Sequence, residues 1–237
     1  MGIATRIRSL GNVGVYKYAL CTNIGDVQCI NFNYKDDVNK NKEWTWNLNS
    51  IIDCNNLFRN VKGIKIFKGK LPNAQHLKFM FKASYLEEFE CDCPKVTITN
   101  EQCFGEFNGK FRRFKGELPL LSNGGQMFWY CNGMTTFESE LPSLSSGNLM
   151  FTSTILNKES AIRILNSIPS YSSGDHPLTI GIHVDHKYDP EVNLALKKAD
   201  INYKPLNTLP EEVTQGKGWT ITVAWNGTKT SNAYPAP

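Results

Sequence analysis

The stretch FESELPSLSSGNLMF (residues 137–151) repeats, 23 residues further on, the stretch FKGELPLLSNGGQMF (residues 114–128). Phe, Leu-Pro, Leu, Ser, Gly and Met-Phe fall at matching places in both. Working outward, FKGKLPNAQHLKFMF (67–81) keeps Phe67, Leu71-Pro72 and Met80-Phe81, and FECDCPKVTITNEQCF (89–104) keeps Phe89, Pro94 and Phe104. One step further back, WTWNLNSIIDCNNLF (44–58) puts Trp44 where Phe67 stands, Leu48 where Leu71 stands and Phe58 where Phe81 stands. About five degenerate units of roughly 23 residues follow one another, and a fixed period of this length is the signature of a repeat architecture.

Each unit opens with apolar or small residues two apart, such as Phe137, Ser139 and Leu141, with Glu138 and Glu140 between them. That alternation is the pattern of a short, half-buried strand. Proline then ends the hydrogen-bond ladder, the Ser/Asn/Gly run turns the chain, and Met-Phe anchors it inward again. One unit cannot bury its apolar set alone. Stacked at about 4.8 Å, successive units form a parallel sheet over a continuous core, with ends that need capping.

The register gives directions to individual side chains. Cys91 falls at the small inward position of Gly69, Gly116 and Ser139, and Cys93 at the inward leucine position, so both are expected as core thiols; the other reading makes Cys91, Cys93 and Cys103 metal ligands. Outward positions form columns Lys68, Glu90, Lys115, Glu138 and Lys65, Glu87, Arg112, Thr135, along which charge mostly alternates in sign. Such columns stabilise a sheet and leave no one-sign groove for phosphates. A third column, Lys70, Asp92, Glu117, Glu140, turns acidic and is expected to be solvated.

Residues 1–41 fall outside the period, and VGVYKYAL and DVQCINFNY around the turn TNIG read as a capping hairpin or attachment segment. Residues 42–154 are the repeat array. In residues 155–237, Asn157 caps a helix over KESAIRIL that ends before Pro169, HPLTIGIHV is a strand, Asp189 and Pro190 start a second helix, and GWTITVAWN is a last strand. The fold class is therefore α+β: a short parallel β-solenoid with an N-terminal hairpin cap and a C-terminal αβ cap.

The repeat FxSxLPSLxxGxxMF, the helix NKESAIRIL, SGDHPLTIGI and the terminal GWTITVAWN together resemble leucine-rich-repeat-like proteins of gut bacteriophages and prophages, across roughly residues 44–226. The resemblance implies a leucine-rich-repeat-like solenoid and a virion role as a head or tail fibre that attaches to the host. It also implies homo-oligomeric assembly. Docking to other virion proteins is expected through residues 1–41, and contact with a host surface glycan or protein elsewhere. A bacterial surface adhesion or protein-interaction leucine-rich-repeat module is the alternative.

Composition narrows the chemistry. A net charge of +4 with interleaved signs argues against a nucleic-acid partner. No apolar run approaches the length of about 20 residues that spans a bilayer, and the N-terminal stretch lacks the apolar core of an export signal, so a soluble chain not exported by the general secretory route is expected; the resemblance implies that it is made in the host cytoplasm and placed in a virion. Seven cysteines at irregular spacing fit reduced thiols rather than a disulfide framework. No nucleophile, phosphate-loop or dinucleotide motif is present, and the expectation is no enzyme and no cofactor. His183, Asp185, His186 and Asp189 are the one group with metal-ligand chemistry, but their spacing suits a surface loop equally well, and no metal is expected. Trp129 and Tyr130 are the candidate binding residues: their rings suit stacking on sugars, with rim packing the favoured role.

Overall fold

A computed structural model describes residues 43–47, 51–59, 65–99, 102–105, 110–209 and 212–229, the first segment as backbone only. The expected N-terminal hairpin lies outside these residues. Five strands, β1 (Glu43–Asn47), β2 (Ile66–Lys70), β3 (Glu88–Asp92), β4 (Arg113–Lys115) and β5 (Thr136–Glu138), form one parallel sheet in chain order. Its register places Trp44, Phe67, Phe89, Phe114 and Phe137 side by side, and Lys68, Glu90, Lys115 and Glu138 side by side, as the repeat alignment requires.

The chain meets itself on two further sides. Parallel bridges link Asp53, His76, Ile98, Asn123 and Ser146 in succession. On the third side Phe58 donates its N–H to Met80 O (2.8 Å), Phe81 to Cys103 O (2.8 Å), Phe104 to Met127 O (3.0 Å) and Phe128 to Met150 O (3.0 Å). Inter-unit hydrogen bonding on three sides satisfies much of the backbone without long strands.

Two columns of phenylalanine fill the interior. Phe67, Phe89, Phe114 and Phe137 stack at centroid steps of 5.3, 5.2 and 5.3 Å. Phe58, Phe81, Phe104, Phe128 and Phe151 stack at 5.1, 5.7, 5.3 and 5.2 Å, and the columns meet edge to face. These steps follow the strand spacing of about 4.8 Å, so the period of the sequence becomes the period of the core. Leu71, Cys93, Leu118 and Leu141 make a third fully covered column.

A tight bend precedes each phenylalanine of the second column. Asn56, Phe79, Gln102, Gln126 and Leu149, each two residues before that phenylalanine, all have φ between 52° and 59°. A left-handed non-glycine residue costs about 1–2 kcal/mol, and the stack imposes it five times.

The C-terminal part is a second parallel sheet, order β6-β7-β8, made of β6 (Gly147–Leu156), β7 (Pro177–His183) and β8 (Thr220–Asn226). Helices α1 (Lys158–Ser167) and α2 (Pro190–Ala199) connect its strands. Both helices start as their sequences direct. The Asn157 side chain accepts from Ser160 N, and the Asp189 side chain accepts from Glu191 N and Val192 N ahead of Pro190. The fold is thus α+β with parallel sheets, and neither sheet closes into a barrel. The expected helix, strand, helix, strand order gains β6 in front of it, so a boundary between residues 154 and 155 falls inside that strand.

Helix α1 seals the open edge of β5. Leu71 and Cys93 donate their N–H groups to Asp92 O (3.1 Å) and Glu117 O (3.0 Å) of the next unit. Leu141, at the same place in the last unit, donates instead to Ser167 Oγ (3.1 Å), and Phe137 donates to Ser160 Oγ (2.9 Å). Two serines two helical turns apart, about 10 Å, therefore stand where a further strand would pair. Gly181 brings β7 close to β6, since a Cβ there would lie 2.5 Å from both Phe151 O and Thr154 O.

Candidate functional site

The outward face of the five-stranded sheet is occupied by its own charges. Lys115 reaches Glu90 (2.8 Å), Lys68 reaches the same carboxylate (3.7 Å), and Lys65 reaches Glu87 (3.0 Å). Arg113 holds Glu138 through two bonds (2.9 and 3.0 Å) and Glu88 at 3.6 Å. Hydrogen bonding from Lys115 keeps the Glu90 carboxyl below its ordinary range, and the Arg113 fork does the same for Glu138. The acidic column ends in an open cleft of about 460 Å³ beside α1, lined by Asp92, Glu117, Glu138 and Glu140 together with Lys115 and Arg163.

The thiols lie inside the stack. Cys54, Cys91, Cys93, Cys103 and Cys131 are free and buried. Proximity to Cys91 and burial push the Cys93 thiol well up, and burial pushes up Cys103 and Cys131, so these groups stay protonated. Among the described residues no three His, Cys, Asp or Glu side chains are arranged to hold a metal ion.

The histidine loop is divided in its tasks. His183 ends β7, and its Nδ1 accepts from Asp185 N (3.3 Å). The His183 and His186 rings are 6.3 Å apart, and burial holds His186 below its ordinary value. Asp189 is buried and engaged twice, capping α2 and pairing with Lys158 (3.1 Å), which also meets Glu191 (3.0 Å). The structure thus brings His183 and Asp185 together and commits Asp189 to holding the starts of two helices.

The aromatic pair lies on the turn between the third-side ladder and the strands. Trp129 is half-buried, and its ring centroid is 4.4 Å from that of Tyr130, which is 46% exposed. Trp129 is partly covered, and Tyr130 presents its ring to solvent. The same corner carries two residues that the sequence reading passed over. Tyr85 is 40% exposed, and the Lys110 ammonium stands 4.6 Å from its ring centroid. A signal for them was present: Tyr85 and Lys110 are each four residues before the strand phenylalanine, Phe89 and Phe114, and hence adjacent in the stack. Another exposed-side cluster forms around Phe79, with Arg59 at 5.4 Å and Lys82 at 4.8 Å from its centroid.

No family model matches the chain, and neither a curated protein nor a solved structure matches it, so the corner of Tyr85, Lys110, Trp129 and Tyr130 is characterised by its own geometry.

Proposed function

We propose that this chain is a non-enzymatic bacteriophage virion protein, a head or tail fibre component in which a leucine-rich-repeat-like parallel β-solenoid presents a surface to the host. One observation carries the reading: charged groups across the strand face are spent on each other in cross-strand pairs, while aromatic rings at one corner face solvent. Cross-strand pairs of this kind hold a sheet together and are poorly placed to do chemistry on a substrate. The resemblance of the repeat and of the terminal strand to phage leucine-rich-repeat-like proteins supplies the virion part. Residues 1–41 dock to other virion proteins, the assembly is homo-oligomeric, and the solvent-facing corner meets a host surface glycan or protein.

Crosslinking mass spectrometry on purified particles tests this. The expected result is recovery of the chain from intact virions, with crosslinks from its first 41 residues to another structural protein. Absence from intact particles overturns the reading.

A further inference from the structure

We propose that Asn132 is a site of spontaneous covalent modification, in which the Gly133 main-chain nitrogen displaces the side-chain amide and water turns the product into a carboxylate. The sequence holds Asn-Gly four times, beginning at Asn108, Asn123, Asn132 and Asn226. Glycine after asparagine lets the main-chain nitrogen reach the side-chain carbon, because no Cβ stands in the way and the backbone there turns easily. Asn123, Asn132 and Asn226 lie among the described residues, and the fold treats them differently.

Two of the three are locked. Gly124 is buried and donates its N–H to Ser146 O (2.9 Å), while Asn123 donates its own N–H to Thr97 O (3.2 Å). The Asn123 side-chain oxygen accepts from Gly125 N (3.0 Å), and the residue stands in the bridge ladder between Ile98 and Ser146. At Asn226 the amide nitrogen, which would have to leave, donates to Thr152 O (3.0 Å) and Thr154 O (2.8 Å), and β8 pairs this residue with His183 of β7. Ring closure at either place needs a ladder to come apart, so it is confined to largely unfolded states.

Asn132 is exposed, and neither its side chain nor the Gly133 N–H meets a hydrogen-bond partner among the described residues. The two residues are the centre of a turn closed by one bond, from Met134 N–H to Cys131 O (3.0 Å). A single surface bond opens at low cost, and rotation then brings nitrogen and carbon together. Gly133 N gives its proton to a solvent base and attacks Asn132 Cγ, forming a five-membered imide; the Cγ–Nδ2 bond breaks, and ammonia leaves with a proton from water. Water then adds to one of the two imide carbonyls. Opening at Cγ yields aspartate, and opening at the main-chain carbonyl yields a β-linked aspartate with one more atom in the chain path. Ammonia is exchanged for water, and nothing is oxidised or reduced. The product places a negative charge on the turn that leads into β5 and lowers the net charge of +4 by one.

The test is peptide mapping by tandem mass spectrometry of the purified full-length chain, incubated folded and in urea in the same mildly alkaline buffer, where each conversion adds about 1 Da. In the folded chain Asn132 is expected to convert at least about tenfold faster than Asn123 and Asn226, and in urea the three are expected to react at similar rates. Gly133→Ala should slow conversion at Asn132 about tenfold and leave the other two as they were. Asn108 lies outside the described residues and on a separate tryptic peptide, and is scored apart. An Asn132 that stays intact in the folded chain overturns the proposal. So does conversion of Asn123 or Asn226 as fast as that of Asn132 in the folded chain. The chain is assayed outside any particle, so its absence from virions would sink the virion role and leave this result standing.

Discussion

Thr99 occupies an inward position of the stack whose equivalents are Cys54, Leu77, Gly124 and Gly147, and it is fully covered there. Its Oγ1 meets no hydrogen-bond partner among the described residues. A buried hydroxyl without a partner costs about 1–3 kcal/mol. Thr99→Val keeps the shape and removes the orphan, and we expect it to raise stability by about 1 kcal/mol, seen as a higher urea midpoint at constant slope; a lower midpoint would mean that the hydroxyl is bonded. Cys93, Cys103 and Cys131 make a second residue-scale prediction. Covered and held protonated, they should resist iodoacetamide in the native protein and become labelled on unfolding, with peptide mass spectrometry as the readout. The inward direction of Cys91 and Cys93 was legible because the alignment set them beside glycine and leucine. The left-handed bends at Phe79, Gln102, Gln126 and Leu149 were not, because these residue types carry no signal for positive φ and it is the stack that forces it.

At the scale of elements, the seal on β5 is the feature that can be broken most cleanly. Ser160→Ala and Ser167→Ala each remove the acceptor for a strand N–H, and each should cost about 1–3 kcal/mol in chemical denaturation. Equal stability in both variants would show that another group takes those amides. Close approach matters one strand away, where a Cβ on Gly116 would stand 2.0 Å from Cys91 O. Gly116→Ala must therefore push β4 from β3, and we expect it to be the most damaging methyl addition in the sheet, read as the largest fall in midpoint among such variants. The charge columns predict a pH response. Glu90 and Glu138 have folded-state pKa values below their unfolded ones, so their contribution is present above the unfolded carboxylate value of about 4.3 and fades as pH falls through the lowered values. Because these groups are about one-third exposed, the acid-induced loss should be small and should shrink in about 1 M salt. Both helices were legible from their caps, Asn157 and the Asp189-Pro190 pair. Strand β6 was hidden because its first half, GNLMF, reads as the turn and anchor of the last unit, and its partner β7 arrives only after a helix.

On the scale of the whole molecule, the repeat stack and the αβ part are joined rather than merely adjacent. The bridge ladder that runs from Asp53 to Ser146 passes at Gly147 into β6, which pairs with β7 at Leu178. The Tyr171 hydroxyl donates to Leu144 O (2.7 Å), and the Leu149 N–H donates to Thr179 Oγ1 (3.1 Å), both across the same junction. Each unit touches mainly its neighbours, so stability is close to a sum along the stack, and an unsealed end would fray first. Of the candidate site, Trp129 and Tyr130 were legible as aromatics beside an anchor, whereas Tyr85 and Lys110 shared a legible offset from Phe89 and Phe114 but showed their contact only in the folded stack.

The central claim is that α1 closes the stack as a further strand would. Native-state hydrogen exchange, resolved by residue, tests it most directly. The account predicts that the amides of Phe137 and Leu141 are protected as strongly as those of Leu71 and Cys93, and that Ser160→Ala and Ser167→Ala release Phe137 and Leu141 respectively. Exchange of Phe137 and Leu141 at the rate of open strand-edge amides in the unmutated protein would contradict it.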